Sequence, residues 1–252
     1  MFDSNSPIAT PEWETFQEKI DYKNPDFLQN ATLRGLMFSE DHELFSKEIK
    51  YIEENFPVFL EKIINPTKVG APPLMAYNGE DYNPNDVHHL YHLCRYVKSR
   101  GEITGKIKVL EWGGGYGNFC KIIHLIYPSL VNLYTIIDLP NLKNLTQSYL
   151  QQVIPDANFR TVNALSFKME NLEDYDMFIS TWALSESPSH LTDYLNSKNF
   201  FNCSRMLIAL HQCGPHVPFM KESSYLKKII ENRGLKEEDV EVINGKNSYF
   251  LK

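Results

Sequence analysis

The chain has 252 residues, 42% of them hydrophobic and 13% aromatic, a composition too apolar for disorder and long enough to bury a sizeable core. With 25 Lys+Arg against 32 Asp+Glu, a formal net charge of -7 and no basic run, nucleic acid is not an expected partner, because such affinity rests on neutralised phosphates. No apolar run approaches the ~20 residues that cross a bilayer, and the start MFDSNSPIAT lacks a basic segment followed by an apolar one, so an unexported, cytoplasmic protein is expected.

The opening stretch, to about Phe38, mixes prolines, asparagines and isolated aromatics, and no regular structure can be assigned to it from sequence. From Asp41, apolar residues at Phe45, Ile49, Ile52, Phe56, Phe59 and Ile63 keep a helical period that Asn65-Pro66 stops. Residues 65 to 82 are rich in Pro and Gly and read as loop, with Ala71 to Tyr82 a candidate lid over an acceptor. A second helix starts near Asn83-Pro84 with Val87, Leu90, Tyr91, Cys94 and Val97 on one stripe, and Gly101 closes it.

After residue 101 strands and helices alternate, which divides the chain into an N-terminal helical cap region, 1–100, and a second unit, 101–252. Strands are predicted at Ile107–Leu110, Leu133–Ile137, Asn158–Val162, Met177–Ser180 and Arg205–Leu210, each followed by a helix. The helix after the fourth begins near Ser187-Pro188, with Ser as cap and Pro in the first turn. Val240–Ile243, the turn Asn244-Gly245 and Ser248–Leu251 read as a closing hairpin. Parallel neighbours need crossover connections. The expectation is therefore an α/β Rossmann-like, doubly wound sheet of seven strands whose last strand is antiparallel. The cysteines Cys94, Cys120, Cys203 and Cys213 are scattered without a CxxC pair, and predict reduced thiols and no zinc site.

The sharpest local feature is Val109-Leu110-Glu111-Trp112-Gly113-Gly114-Gly115-Tyr116-Gly117-Asn118, where the first of these strands hands over to a helix. Glycines there let backbone approach a ligand, and the first amides of the helix point at it. Dinucleotide folds prefer GxGxxG, but here the third glycine comes one residue early, at Gly117, which counts against an NAD-dependent oxidoreductase. A carboxylate about 20 residues beyond such a loop can accept from both hydroxyls of a ribose, and Asp138 lies 21 residues after Gly117.

This loop, preceded by Glu111 and set in this element order, resembles motif I of the class I S-adenosylmethionine-dependent methyltransferases. WGGGYGN, YTIIDLPNL, QSYL and DMFISTWALSE together resemble, more narrowly, the sugar O-methyltransferases of bacterial surface-polysaccharide clusters, over roughly residues 107 to 190. The resemblance implies the sheet order 3-2-1-4-5-7-6 and S-adenosylmethionine as cofactor. By the same likeness Glu111, Gly113, Gly115 and Gly117 would hold its methionine and ribose parts. Asp138 would take the ribose, Leu139 would pack on the adenine, and Asn163 with Ala164 would meet its amino group. Thr181, Ser185 and Glu186 match the family's pattern, whereas Ser180 stands where the family often has Asn.

Methyl transfer to a sugar hydroxyl calls for a base near the carboxyl ends of the fourth and fifth strands, and His211 and Glu186 are the candidates. His88, His92 and Arg95, at helical spacing on one flank, could grip a phosphate of a nucleotide-linked sugar or supply a base, the alternative being a solvated polar face; Trp182 joins them on the acceptor side. No metal is expected. The reading is a methyltransferase acting on a sugar or nucleotide-sugar. Its alternatives are an anionic phosphate or phosphoramidate acceptor, or a non-catalytic cofactor-binding partner.

Overall fold

The computed structural model describes residues 9–37, 41–166, 175–198, 200–211, 220–240 and 247–252. Cys213 and the expected turn Asn244-Gly245 lie outside the described residues.

The opening stretch, which its sequence leaves unassigned, is helical over much of residues 9–37. It forms α1 (Pro11–Glu18), a 3-10 turn at Phe27–Gln29 and α2 (Ala31–Met37). Its sparse aromatics are what fix it, since Phe16, Phe27, Leu28 and Leu33 are all buried. Phe27 meets the rings of Tyr116 and Tyr149 edge-on, at centroid distances of 6.2 and 5.8 Å.

Asp41 caps α3 (His42–Asn55) by accepting from the amides of Glu43 and Leu44. The single long helix expected here is broken by Pro57. The residue before a proline is disfavoured in the α region, and Phe56 sits at φ -142°, ψ 52°. The chain restarts as α4 (Pro57–Leu60) and ends in a 3-10 turn, Glu61–Ile63.

The expected loop over 65 to 82 contains a hairpin, β1 (Met75–Tyr77) and β2 (Glu80–Tyr82). Its two-residue turn is Asn78-Gly79, both at positive φ, the geometry such tight turns require. Tyr77 and Asn78 donate to Glu53 on α3, which ties this hairpin to that helix. Next comes α5 (Pro84–Arg100), capped by Asn83 and closed by Gly101 as predicted.

The sheet is then built from β3 (Ile107–Trp112), α6 (Asn118–Ile126), β4 (Val131–Asp138), α7 (Pro140–Val153), β5 (Phe159–Asn163) and β6 (Met177–Thr181). It is completed by α8 (Ser189–Ser197), β7 (Arg205–His211), α9 (Met220–Glu231), β8 (Lys236–Asp239) and β9 (Asn247–Leu251). The order is β5-β4-β3-β6-β7-β9-β8, and β9 runs antiparallel to both neighbours. Counted within the sheet this is 3-2-1-4-5-7-6, as expected.

Some boundaries differ. The sixth strand of the sheet is Lys236–Asp239, an edge strand that can be charged because it faces solvent; of the strand expected at Val240–Ile243, residues 241 to 243 lie outside the described residues. α8 is preceded by a 3-10 turn, Ala183–Glu186, and Ser187 donates its hydroxyl to Ala183 O instead of capping the helix. Among the described residues β5 is followed only by a 3-10 turn, Ala164–Ser166.

Alternation along the strands sends neighbouring residues into two cores. Val109, Ile136 and Ile179 face the core shared with the N-terminal helices, α5, α6 and α7. Leu110, Ile137 and Phe178 face a second core with Leu191, Leu195 and Ile230 of α8 and α9. Because β3 has β4 on one side and β6 on the other, the strand order reverses there, which opens a crevice beyond the carboxyl ends of the strands.

Candidate active site

A cleft of about 420 Å³ lies in that crevice, within the size range of small-molecule sites. Its floor is the turn after β3. Gly113 has φ +75°, and a Cβ there would come within 2.1 Å of Ala183 Cβ, so only glycine lets β3 pass under the loop that leaves β6. Gly117, at φ +92°, starts α6, and a Cβ would meet Thr146 Cγ2 at 2.8 Å. Its role is to let the loop close on α7, and it does not line the cleft.

Asp138 ends β4 beside that floor. Its Oδ2 accepts from Gly115 N at 2.8 Å and its Oδ1 from Leu139 N at 2.7 Å. Each carboxylate oxygen can accept more than one hydrogen bond, so both keep capacity for hydroxyls in the cleft. Burial raises the Asp138 carboxyl to about 7, while those two amides pull it back down. Glu111, at the end of β3, is 2% exposed and its Oε2 has no hydrogen-bond partner. Burial lifts its carboxyl to about 8 against the opposing influence of the nearby Tyr134 hydroxyl, and Asp138 lifts it further. A buried acceptor left unmet costs free energy, and Glu111 and Asp138 both line the same cleft.

The opposite end is aromatic. Trp182, at the end of β6, holds φ +70°, a region rare for a bulky residue and costly by roughly 1–3 kcal/mol. The conformation places its indole against His211, with ring centroids 4.4 Å apart and planes 21° from parallel; His88 lies nearly parallel to it at 6.3 Å. The turn that begins there also carries Glu186, whose Oε1 is 3.6 Å from His211 Nε2. His211 is the last residue of β7, so a strand end fixes its backbone.

His88 is held from behind by Glu48 of α3, 2% exposed, with Nδ1 to Oε1 2.6 Å. Its Nε2 is 3.1 Å from His92 Nε2, and His92 Nδ1 bonds the Tyr249 hydroxyl of β9. Burial disfavours the charged form of His92 and the neighbouring His89 and drives both well below their usual value. The alternative of a solvated polar face does not hold for His92, which is fully buried. Arg95 is 7% exposed and lies over the rings of Tyr51, Tyr91 and Tyr249, donating to Tyr91 OH and Asp239 O.

Of the residues singled out in the sequence, the cleft brings together Glu111, Gly113, Gly115, Asp138, Leu139, Ala164, Thr181, Trp182, Glu186, His88 and His211. Gly117, Asn163, Ser180, His92 and Arg95 are not among its lining. Ser180 donates to Trp112 O, and Asn163 accepts from Leu165 N, so each serves the local backbone. Sequence reasoning missed Trp13, Met37 and Leu44, which bring the N-terminal region over the cleft, and Asn85 and His89 of α5. His89 follows His88 directly and was legible as a polar residue beside it. Trp13 and Met37 carried no signal, because a lone apolar residue in an unassigned stretch shows nothing of where it docks.

Among the described residues no cluster of His, Cys, Asp or Glu fits a metal ion, and no helix is long and apolar enough to cross a membrane.

No protein-family model matches the sequence, and no curated protein matches it. Solved structures of similar outline include a SAM dependent methyltransferase from Aquifex aeolicus, 14% identical over 62% of this chain and 88% of that one, with a TM-score of 0.44. A precorrin-6y C5,15-methyltransferase from Geobacter metallireducens is 12% identical over 68% and 87%, at 0.43. The CMeT domain of a citrinin polyketide synthase is 16% identical over 68% of this chain and 53% of that one, at 0.47. At these identities and scores the likeness is one of outline, and no activity is carried over from it.

Glu48→Ala is expected to lower unfolding free energy by about 1–3 kcal/mol, because it strips a half-buried imidazole of its partner. Glu48→Gln, whose amide oxygen still accepts from Nδ1, should cost less. Urea denaturation checks this, and equal stability of Glu48→Ala and the wild type would refute the pairing.

Proposed function

We propose that the protein is an S-adenosylmethionine-dependent O-methyltransferase acting on a hydroxyl of a neutral, ring-shaped acceptor, with a sugar as the favoured class. The observation that carries this reading is the pairing of Glu111 Oε2, buried and unmet, with Asp138, whose two oxygens retain accepting capacity, around a glycine turn. A cationic ligand with a vicinal diol answers both: its charge offsets buried carboxylates, and its hydroxyls donate to Asp138. The residues present thus fit the cofactor. Glu111, Gly113 and Gly115 would hold its amino-acid part, Asp138 its ribose, and Leu139 with Ala164 the adenine. Gly117, Asn163 and Ser180 would support these contacts through the backbone. The division into a cap region, 1–100, and a cofactor unit, 101–252, belongs to this reading, since Trp13, Met37 and Leu44 come from the first and the glycine turn from the second.

When bound, S-adenosylmethionine supplies an electrophilic methyl group on a sulfonium. A sugar hydroxyl is a weak nucleophile, so the chain must take its proton. His211 lines the cleft and is assigned that task through Nε2, with Glu186 3.6 Å from that nitrogen to stabilise the imidazolium formed. Trp182 fixes the plane of that imidazole and offers an apolar wall to a sugar ring.

Acceptor chemistry is read from charge. The described lining carries the carboxyls of Glu111, Asp138 and Glu186 and no Lys or Arg. An anionic phosphate or phosphoramidate is mismatched to such a wall, and the phosphates of a nucleotide-linked sugar would belong outside the described cleft. Arg95, a candidate phosphate ligand by sequence, is enclosed by tyrosines.

Two measurements test the reading. Release of S-adenosylhomocysteine should depend on a neutral glycoside and not on inorganic phosphate. Cofactor uptake without release on any glycoside, sugar nucleotide or phosphate would favour a non-catalytic partner. Binding of the cofactor should also strengthen as pH rises. Its positive charge favours ionised carboxylates, and the free protein holds Asp138 at about 7 and Glu111 at about 8. Below about 7 each pH unit should cost about tenfold in affinity for each carboxyl that must ionise. Glu111→Gln should flatten the upper part of the profile. An affinity constant from pH 5.5 to 8.5 would contradict the assignment.

A further inference from the structure

Resting on that reading, in which His211 accepts the proton, we infer that Asn247 is a positioning residue that fixes the tautomer of His211. Only one nitrogen of a neutral imidazole can accept a proton, and which one is set by the partner of the other. β7 ends at His211 and β9 begins at Asn247, and antiparallel pairing puts the two directly opposite each other. His211 Nδ1 lies 3.3 Å from Asn247 Oδ1. A carboxamide oxygen only accepts, so the ring proton is held on Nδ1 and the lone pair is left on Nε2, the nitrogen nearest Glu186.

The surroundings enforce this choice. Glu186 Oε1, 3.6 Å from Nε2, is beyond hydrogen-bond length, so in the neutral ring it does not draw the proton to Nε2. Once Nε2 has taken a proton, the same carboxylate faces a positive charge and stabilises it. Asn247 is 8% exposed, which keeps bulk water from competing for its amide oxygen. The ring cannot turn freely to exchange its nitrogens, because Trp182 stacks on it and the His211 backbone amide is tied to Ser185 Oγ. Asn247 belongs to the last strand, far in sequence from the glycine turn, and does not line the cleft. It acts through His211.

The tautomer can be read without knowing the acceptor. Long-range 1H–15N correlation spectra of protein carrying 15N-labelled histidine, recorded at alkaline pH and assigned by the loss of one signal set in His211→Gln, report which ring nitrogen bears the proton. The wild type is expected to show the Nδ1–H pattern for His211. Asn247→Ala should lose it in favour of Nε2–H, and Asn247→Asp, whose carboxylate still accepts from Nδ1, should restore it. An Nε2–H pattern in the wild type overturns the inference whether or not the variants fold, and so does an unchanged pattern in a folded Asn247→Ala. Titration of wild-type protein with S-adenosylmethionine in the same samples separates the two claims. Absence of uptake would remove the methyltransferase reading and leave the tautomer result standing, while uptake with the wrong tautomer would remove only the inference.

Discussion

A carboxylate taken out of water at the end of a buried strand is the constraint around which this cleft is built. Asp138 is kept at β4's end by two backbone amides, one from its own following residue and one from Gly115 across the crevice. That second bond ties the glycine turn of β3 to β4, so the shape of the turn and the exposure of the carboxylate to a ligand are one arrangement. Pro140 begins α7 immediately afterwards and holds Leu139 extended. The chain therefore leaves the sheet without covering the carboxylate. Glu111, one strand over, adds a second desolvated acid whose buried Oε2 is unmet. An apolar pair would be more stable in the free protein; the acids make sense as half of an interaction whose other half is a cation with hydroxyls.

The N-terminal region completes the crevice in a different way. Its helices share a continuous core with the near face of the sheet, and Trp13, Met37 and Leu44 reach the cleft mouth. Polar groups stitch the same parts together: Glu48 on α3, His88 and His92 on α5, and Tyr249 on β9 form one hydrogen-bonded series. Such a series positions His88 beside Trp182, whose indole also stacks on His211. Trp182 bears backbone strain to stand there, which is characteristic of side chains held for a ligand.

How much of this was legible follows from the range of each signal. The parallel sheet could be read because βα alternation forces crossovers, while its order came only with the family resemblance, and the glycine turn with Asp138 could be read because both lie at strand ends at a fixed spacing. The break at Pro57 was present in the sequence but overridden by the apolar period that runs through it. The Asn78-Gly79 turn was likewise present, hidden in a stretch whose prolines and glycines all suggest loop. β8 escaped because its residues are mostly charged. Glu48 looked like any solvated helix carboxylate, and only the packing of α3 on α5 brings it to His88. Asn247 was unreadable for the same reason, since its meaning lies in cross-strand register and not in its neighbours along the chain.

The most direct test of the central claim is calorimetric titration of S-adenosylmethionine into the wild type and Asp138→Ala near pH 8, with thermal unfolding as a check on folding. The account predicts saturable binding of one molecule per chain, weakened at least about tenfold in the variant by loss of a charged acceptor for two hydroxyls. No uptake by the wild type, or equal affinity in a folded variant, would contradict it.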